Sequence, residues 1–309
     1  MIRVTNLHFE RDRSILNNLN FTLKKGEVFG IVGPSGAGKS TLLSIMAGLL
    51  DASKGEVKLG SEVVYGPKDR LLPGHPEVQL VNQEFGLDSY HTVSENLRVK
   101  ANHLTAEMKS EFIAELLDLM ELTHIANHKA IQLSGGEKQR LAMARAIIME
   151  PKVILLDEPF AHMDAHIKRK VIAYLLALKK SRKTTFVFVT HDGQDVMTFA
   201  DRIAYFNQGQ IQRIDTPEAF YRHPTAYEEG LFFGELNSIK NKKEILLFRP
   251  NQFSLDMNQV GVQLEVKFLD AAYAGMYYLN YFRVGKNERI VLYHTEILNH
   301  AHKIVITKN

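Results

Sequence analysis

A glycine-rich octapeptide, Gly-Pro-Ser-Gly-Ala-Gly-Lys-Ser at positions 33–40, lies between a short apolar run and a helical segment. The apolar run Val28–Val32 is typical of a buried strand, and residues 40–47 form a helical pattern that ends at Gly48. Glycines at the first and sixth positions of the octapeptide allow backbone N–H groups to turn around phosphate oxygens, at the positive end of the following helix. The pattern therefore predicts a phosphate-binding loop between a strand and a helix.

Such a loop assigns a role to each of its last two polar residues. Lys39 would reach the β- and γ-phosphates of a nucleotide, and the Ser40 hydroxyl would ligate Mg²⁺. A plain glycine turn is the alternative, but the flanking strand and helix together favour the phosphate loop. The predicted phosphate-binding residues are Gly33, Pro34, Ser35, Gly36, Ala37, Gly38, Lys39, Ser40 and Thr41.

Two adjacent carboxylates follow a second apolar run. Val153–Leu156 is typical of a buried parallel strand, and Asp157 and Glu158 come directly after it. Ligands of parallel sheets bind at the carboxyl ends of the strands. We expect Asp157 to hold hydrated Mg²⁺ and Glu158 to polarise an attacking water. In isolation these two acids could simply be solvated; with the phosphate loop in the same chain, they predict a nucleoside triphosphatase.

Strands and helices alternate through most of the chain. Helical patterns over residues 105–120, 136–149 and 166–180 are interleaved with the apolar runs around residues 153–156 and 186–189. This order predicts an α/β fold with a mostly parallel sheet covered on both faces. The chain has 309 residues, of which 45% are hydrophobic, enough for one large α/β domain and a smaller one.

The sequence changes character near residue 236. A polar link at residues 241–243 leads into five short β-rich runs, which is typical of a small β-barrel. The runs are Ile245–Phe248, Val262–Phe268, Tyr277–Phe282, Ile290–Tyr293 and Ile304–Ile306.

Composition excludes several other classes of protein. A net charge of +3 is too small to indicate nucleic acid binding, and the absence of cysteine excludes disulfides and thiolate metal sites. The first residues lack the apolar core of a signal peptide, and no stretch has the roughly 18–20 apolar residues of a membrane helix. We therefore expect a cytoplasmic protein that acts on a membrane only through a partner.

The run Leu133–Arg140, Leu-Ser-Gly-Gly-Glu-Lys-Gln-Arg, predicts a second anion-binding helix N-terminus, with Ser134 as its cap. It resembles the signature of the ATP-binding cassette (ABC) ATPases. In that family the element completes the ATP site of a partner chain, which implies nucleotide-binding roles for Ser134, Gly135, Gly136 and Glu137. A capped helix without a ligand is the alternative, since Ser134 and Glu137 also match a capping box.

The resemblance, which covers residues 1–238, implies further site residues. Gln83 matches the family's glutamine loop, which ligates Mg²⁺ and responds to the membrane subunit. His191 matches the switch histidine that contacts the γ-phosphate. Asp164 stands at the aspartate that contacts the dimer partner, and Phe9 at the aromatic that stacks on adenine, although an N-terminal phenylalanine is equally often part of a core.

The resemblance also implies an architecture. We expect a RecA-like P-loop core over residues 1–238, with an inserted helical subdomain at about 86–150, and an OB-like regulatory β-barrel over 239–309. Two copies would enclose two MgATP and act on transmembrane permease subunits, from a peripheral position on the inner face of the membrane. The closing segment and barrel resemble those of bacterial importers of ferric ion, polyamines, sulfate or molybdate.

Two departures and three alternatives accompany this interpretation. Glu137 stands where the family usually has glutamine, and residues 161–163 replace a run of small residues. A motor of an exporter or lipoprotein-release system shares the catalytic motifs but normally lacks the barrel. A soluble ABC ATPase usually fuses two motor domains or inserts a coiled coil, and a P-loop kinase is excluded by the signature helix.

Overall fold

A computed structural model of the chain describes residues 1–82, 84–161, 163–241 and 244–307. The chain divides into two compact units, Met1–Pro217 and Glu218–Asn309. None of the helices in the described ranges combines the length and apolar character that crossing a bilayer requires.

The described residues of the first unit form two sheets, six complete α-helices and two short 3₁₀ helices, Thr123–Ile125 and Ala130–Gln132. Its strands are β1 (Ile2–Glu10), β2 (Ser14–Leu23), β3 (Val28–Val32), β4 (Lys54–Leu59), β5 (Glu62–Val63), β6 (Val78–Val81), β7 (Val153–Asp157), β8 (Thr185–Thr190), β9 (Arg202–Asn207) and β10 (Gln210–Asp215). Its helices are α1 (Lys39–Met46), α2 (Val93–Arg98), α3 (Ala106–Leu119), α4 (Gly135–Ile148), α5 (Ala165–Arg182) and α6 (Gly193–Phe199).

The larger sheet has the order β10-β9-β3-β8-β7-β6, in which all pairs except β10–β9 are parallel. Every residue of β3, β7 and β8 is buried, as expected for parallel strands covered on both faces. The smaller sheet is antiparallel and has the order β2-β1-β4-β5. The alternation of strands and helices thus correctly predicts the parallel sheet.

Side-chain alternation along the parallel strands explains the two layers of core. Val187 and Val189 of β8 join the hydrophobic cluster that contains α1 and the smaller sheet. Phe186 and Phe188 point to the opposite face, where both rings contact Phe199 of α6. Because β3, β7 and β8 are parallel, their carboxyl ends lie at one edge of the sheet.

The second unit is small and antiparallel. A five-stranded sheet has the order β13-β17-β14-β15-β16, and the hairpin β11–β12 contributes Ile239 and Phe248 to the same core. The strands are β11 (Asn237–Asn241), β12 (Glu244–Phe248), β13 (Phe253–Ser254), β14 (Val262–Tyr273), β15 (Tyr278–Val284), β16 (Glu288–His294) and β17 (Lys303–Ile306). All five predicted runs are strands, and the unit resembles a barrel; its likeness to an OB fold stays a prediction.

The division between the units lies before the change in composition. Helix α7 (Pro217–Arg222) spans it, and helix α8 (Tyr227–Leu231) lies wholly in the second unit. The buried Arg249 side chain explains this, since it donates to the carbonyl oxygens of Tyr221, Gly230, Gly234 and Glu235. Residues 221–235 are thereby hydrogen-bonded to the residue that directly follows β12, and the expected limit at 238/239 falls inside the second unit.

Candidate active site

The octapeptide forms a tight loop between β3 and α1. Gly36 and Gly38 have φ of 76° and 105°, left-handed conformations that glycine adopts without strain. Lys39 lies at the start of α1, is only 8% exposed, and donates from Nζ to the carbonyl oxygens of Gly33 (2.8 Å) and Pro34 (3.0 Å). Burial lowers the pKa of Lys39, against the opposing effect of the negative charges of Glu158 and Asp157. The loop therefore presents backbone N–H groups and one cation to the same space.

The phosphate loop packs against the end of β9 and the turn that follows it, a contact that the motifs do not predict. A Cβ on Gly33 would lie 1.8 Å from the Phe206 carbonyl oxygen of β9, so only glycine permits this approach. The Gly209 N–H, in the turn between β9 and β10, donates to the Ala37 carbonyl oxygen (3.2 Å). Because these contacts join residues that are distant in sequence, no local signal predicts them.

Asp157 and Ser40 meet at the end of β7. The Asp157 side chain is hydrogen-bonded to Ser40, and burial raises the pKa of Asp157, which the Ser40 hydrogen bond opposes. A hydroxyl and a carboxylate at one point are hard oxygen ligands that Mg²⁺ accepts, and Mg²⁺ normally completes its shell with water and substrate phosphates. Among the described residues, no group of three or more His, Cys, Asp or Glu side chains could hold a metal ion. Gln83, the other predicted ligand, lies outside the described residues.

Glu158 has an uncommon backbone conformation, and its N–H, its carbonyl oxygen and its carboxylate each contact another residue. Its φ is 50°, which is uncommon for a residue with a side chain. Its N–H donates to the Val189 carbonyl oxygen (3.0 Å), and its carbonyl oxygen accepts from Gln139 Nε2 (2.6 Å). Its carboxylate Oε1 lies 3.0 Å from His191 Nδ1. The structure thus brings Glu158 and His191 together, and it adds Gln139, which the motif analysis did not single out although it lies within Leu133–Arg140.

A cavity of about 620 Å³ opens over the loop. The predicted residues that line it are Pro34, Ser35, Gly36, Ala37, Gly38, Lys39, Ser40, Thr41, Asp157 and Glu158. Arg13–Ile15 and Asn207–Gly209 line it as well and were not predicted. Phe9 is half-buried, opposite Leu16 on β2, and packs against the hydrophobic core, so its stacking on adenine stays a prediction.

The signature residues begin α4 and are not among the residues that line this cavity. Ser134 is the N-cap, its Oγ accepts from the Glu137 N–H (3.4 Å), and its own N–H and hydroxyl both donate to Glu137 Oε2 (2.7 Å each). The predicted capping box is therefore present. These bonds from the Ser134 hydroxyl and N–H lower the pKa of Glu137, which is a carboxylate at neutral pH.

Asp164 occupies the N-cap position of α5. Its carboxylate is exposed and makes no hydrogen bond to the helix that it precedes. Neither Asp164 nor the signature residues are among the residues that line the cavity beside Lys39.

The ABC transporter sequence profile matches residues 16–161. The sulfate/thiosulfate import ATP-binding protein of Pectobacterium atrosepticum is 38% identical over 267 residues, which are 83% of this chain and 78% of that protein. The spermidine/putrescine import ATP-binding protein of Legionella pneumophila (strain Paris) is 34% identical over 255 residues, 82% of this chain and 68% of that protein.

Solved structures agree with these relatives. An ATP-binding cassette captured as a dimer in a post-hydrolysis state with ADP and Pi superposes with a TM-score of 0.63 at 31% identity, covering 70% of this chain and 99% of the other. A second dimeric cassette of an ABC transporter gives a TM-score of 0.64 with the same coverage. The predicted P-loop fold class is confirmed, and the chain belongs to the ABC transporter family, as an ATP-binding and ATP-hydrolysing subunit.

Proposed function

We propose that the chain hydrolyses MgATP as a homodimer and thereby drives import of a small charged solute through permease subunits. The observation that carries the proposal is the Glu158 carboxylate, held 3.0 Å from His191 at the edge of the cavity that Lys39 and Asp157 also line. The named relatives serve import of sulfate or thiosulfate and of spermidine or putrescine, which favours an inorganic-ion or polyamine importer over an exporter.

The residues divide the chemistry between binding and reaction. The loop N–H groups and Lys39 hold the phosphates in ground state and transition state alike. Ser40 and Asp157, with Gln83, would hold Mg²⁺, and the ion would supply positive charge next to the phosphates. Glu158 orients and polarises the attacking water, and His191, within hydrogen-bond reach of Glu158, contacts the γ-phosphate.

Each of the two sites would be shared between chains. One chain supplies residues 33–41, Asp157, Glu158 and His191, and the partner supplies residues 134–137 and Asp164. The α4 N-terminus suits this task because its N–H groups and helix dipole favour an anion. A Cβ on Gly135 would meet no atom within 4 Å, which leaves the backbone of this turn accessible.

The chain then works beneath the membrane, bound to its permease, with the motor in the first unit and a regulatory domain in the second. The direct test is Mg²⁺-dependent ATP hydrolysis by the full chain, followed by ATP-driven uptake when the chain is combined with permease subunits in vesicles. Uptake of sulfate or a polyamine into inside-out or right-side-out vesicles distinguishes import from export. A chain without Mg²⁺-dependent hydrolysis would contradict the proposal.

Residues 84–97 form the surface proposed to receive a permease helix. Arg145 Nη1 donates to the Gly86 carbonyl oxygen (2.6 Å), and the buried Asn96 side chain accepts from the Asp88 N–H (3.0 Å) and donates to its carbonyl oxygen (3.0 Å). These bonds order the segment, yet Tyr90 remains 74% exposed on it. An ordered segment with an exposed aromatic side chain suits docking of a partner.

Tyr90→Glu is expected to lower ATP-driven transport at least tenfold while leaving the ATPase rate of the isolated subunit within twofold. The reason is that a buried charge weakens docking, whereas the exposed Tyr90 contributes little to the core. Uptake and hydrolysis are measured on the same preparations, with Tyr65→Glu, a 46% exposed tyrosine outside the segment, as control. Loss of both activities with a lower melting temperature would show that Tyr90 is structural.

Glu137→Gln is expected to lower the ATP concentration for half-maximal rate by about two- to fivefold. A carboxylate near the partner's γ-phosphate is unfavourable by ~1 kcal/mol when partly screened, and glutamine removes the charge but can still cap the helix.

The matched control for this change is Glu95→Gln. Glu95 makes the same capping box with Thr92 at the start of α2, so it tests the cost to the cap alone. Steady-state kinetics and ATP-dependent dimerisation provide the measurements. A rise in the half-maximal concentration for Glu137→Gln alone would mean that the carboxylate makes a favourable contact across the dimer.

A further inference from the structure

We propose that Gln139 is a positioning residue, which holds the Glu158 backbone in its left-handed conformation and so connects the signature helix to the general base of the same chain. This inference rests on the proposed function, in which Glu158 activates water and the start of α4 meets the partner's nucleotide. It assigns a role to a buried side chain that is not among the residues lining the phosphate cavity.

The local sequence does not itself hold Glu158 in this conformation. A φ of 50° is disfavoured for any residue with a Cβ. Pro159 follows and has no N–H to donate, and the local turn supplies only one long hydrogen bond, from the Ala161 N–H to the Glu158 carbonyl oxygen (3.4 Å). Strained conformations of this kind persist only where surrounding contacts determine them.

Shorter hydrogen bonds to the Glu158 peptide groups come from two elements that are distant in sequence. β8 supplies the Val189 carbonyl oxygen, which accepts from the Glu158 N–H (3.0 Å). α4 supplies Gln139, whose Nε2 donates to the Glu158 carbonyl oxygen (2.6 Å). The two bonds hold the peptide groups on either side of the Glu158 Cα, and therefore set the direction in which its carboxylate leaves the backbone.

The position of Gln139 makes this contact a connection between sites. Gln139 is 4% exposed and lies five residues after Ser134, on the same continuous helix. A shift of α4 that accompanies contact of Ser134 with the partner's nucleotide would move the donor that fixes Glu158. Hydrolysis at a chain's own site would thus respond to whether its signature helix is engaged at the other site.

Gln139→Leu is expected to lower kcat for ATP by about 10- to 100-fold while KM and equilibrium MgATP binding stay within threefold, because a base displaced by about 1 Å loses rate and not ground-state affinity. Gln139→Glu gives a readout that packing alone would not move. Its carboxyl group can donate to the Glu158 carbonyl oxygen only when protonated, and burial raises the pKa of a carboxyl group.

The kcat of Gln139→Glu relative to wild type is therefore expected to rise as pH falls from about 8 to about 6, whereas that of Gln139→Leu stays flat. Melting temperatures are followed for every variant at each pH. A kcat for Gln139→Leu within twofold of wild type, or equal losses in both variants at every pH, would overturn the proposal.

Mixed dimers test whether Gln139 acts on its own chain's Glu158. In a dimer of one Gln139→Leu chain and one Glu158→Gln chain, the only site with an intact Glu158 is the one whose Glu158 lies in the Gln139→Leu chain. We expect this dimer to be about as slow as the Gln139→Leu homodimer, when compared with a control dimer of wild-type and Glu158→Gln chains. Activity equal to the control would mean that Gln139 acts through the partner's site instead.

Hydrogen exchange separates this inference from the proposed function. Loss of the Gln139 bond is expected to speed exchange of the Glu158 amide at least tenfold, in full-length chain and without turnover. Unchanged exchange in Gln139→Leu overturns the positioning role even if the wild type hydrolyses ATP. Absent hydrolysis by the wild type overturns the proposed function, while the exchange measurement still decides the contact.

Discussion

Glu158→Gln is expected to lower the rate of ATP hydrolysis by about 10³-fold and to leave ATP affinity within about threefold. A general base contributes roughly 10²–10⁴ to a rate, and it does so in the transition state, where the attacking water loses a proton. Binding in the ground state belongs to the loop amides and Lys39, whose Nζ is already fixed by the carbonyl oxygens of Gly33 and Pro34. Glutamine retains the size of the side chain but accepts no proton.

The expected state of this variant is an ATP-bound dimer. Because closure on ATP precedes hydrolysis, a dimer that closes but does not hydrolyse accumulates, and it elutes early on gel filtration with MgATP. Glu121→Gln is the matched control, since Glu121 is also a glutamate with positive φ (54°) but pairs with Lys170 rather than lining the cavity. A Glu158→Gln chain that stays monomeric and hydrolyses ATP at the native rate would place the base elsewhere.

The parts of the site that the sequence predicts are those made by contiguous residues. The phosphate loop, the pair Asp157 and Glu158, and the capped start of α4 each follow from spacing within a short segment. Parallel pairing of β3, β7 and β8 then brings their carboxyl ends to one edge of the sheet, because parallel strands run in the same direction. Local pattern and sheet geometry suffice for this much.

The remaining features depend on contacts between distant residues. The Gln139 bond to Glu158 spans 19 positions, and the approach of Phe206 to Gly33 joins opposite halves of the first unit. Neither contact leaves a periodic pattern in the sequence. The first depends on a single donor group, and the second depends on a single residue that lacks a Cβ. Strand β11 was missed for a related reason: its polar sequence, Asn-Ser-Ile-Lys-Asn, carries a single apolar residue, and pairing with β12 makes it a strand.

The limit between the units shows how one side chain can override composition. The compositional change near residue 236 suggests a later limit than the contacts do, which place residues 218–238 in the second unit. Arg249 is fully buried, with its Nε donating to Tyr221 (2.8 Å) and its Nη1 to Gly230, Gly234 and Glu235 (2.9–3.1 Å). Its guanidinium also lies 4.5 Å from the centre of the Tyr221 ring.

Arg249→Met is therefore expected to destabilise the second unit by about 3 kcal/mol or more. Methionine fills the stem of the side chain but donates nothing, so carbonyl oxygens that are buried or half-buried lose their partner, at about 1–3 kcal/mol for each one left unsatisfied. Arg222→Met is the control in the same unit, because the ion pair of Arg222 with Glu218 is exposed and worth at most about 1 kcal/mol.

Hydrogen exchange of residues 221–248 should accelerate in Arg249→Met and not in Arg222→Met, with α1 and β3 unchanged in both. The rate of ATP hydrolysis should stay within twofold, since the described residues that line the phosphate cavity all precede the second unit. Equal protection of residues 221–248 in Arg249→Met and wild type would mean that packing, and not the guanidinium, ties this segment to β12.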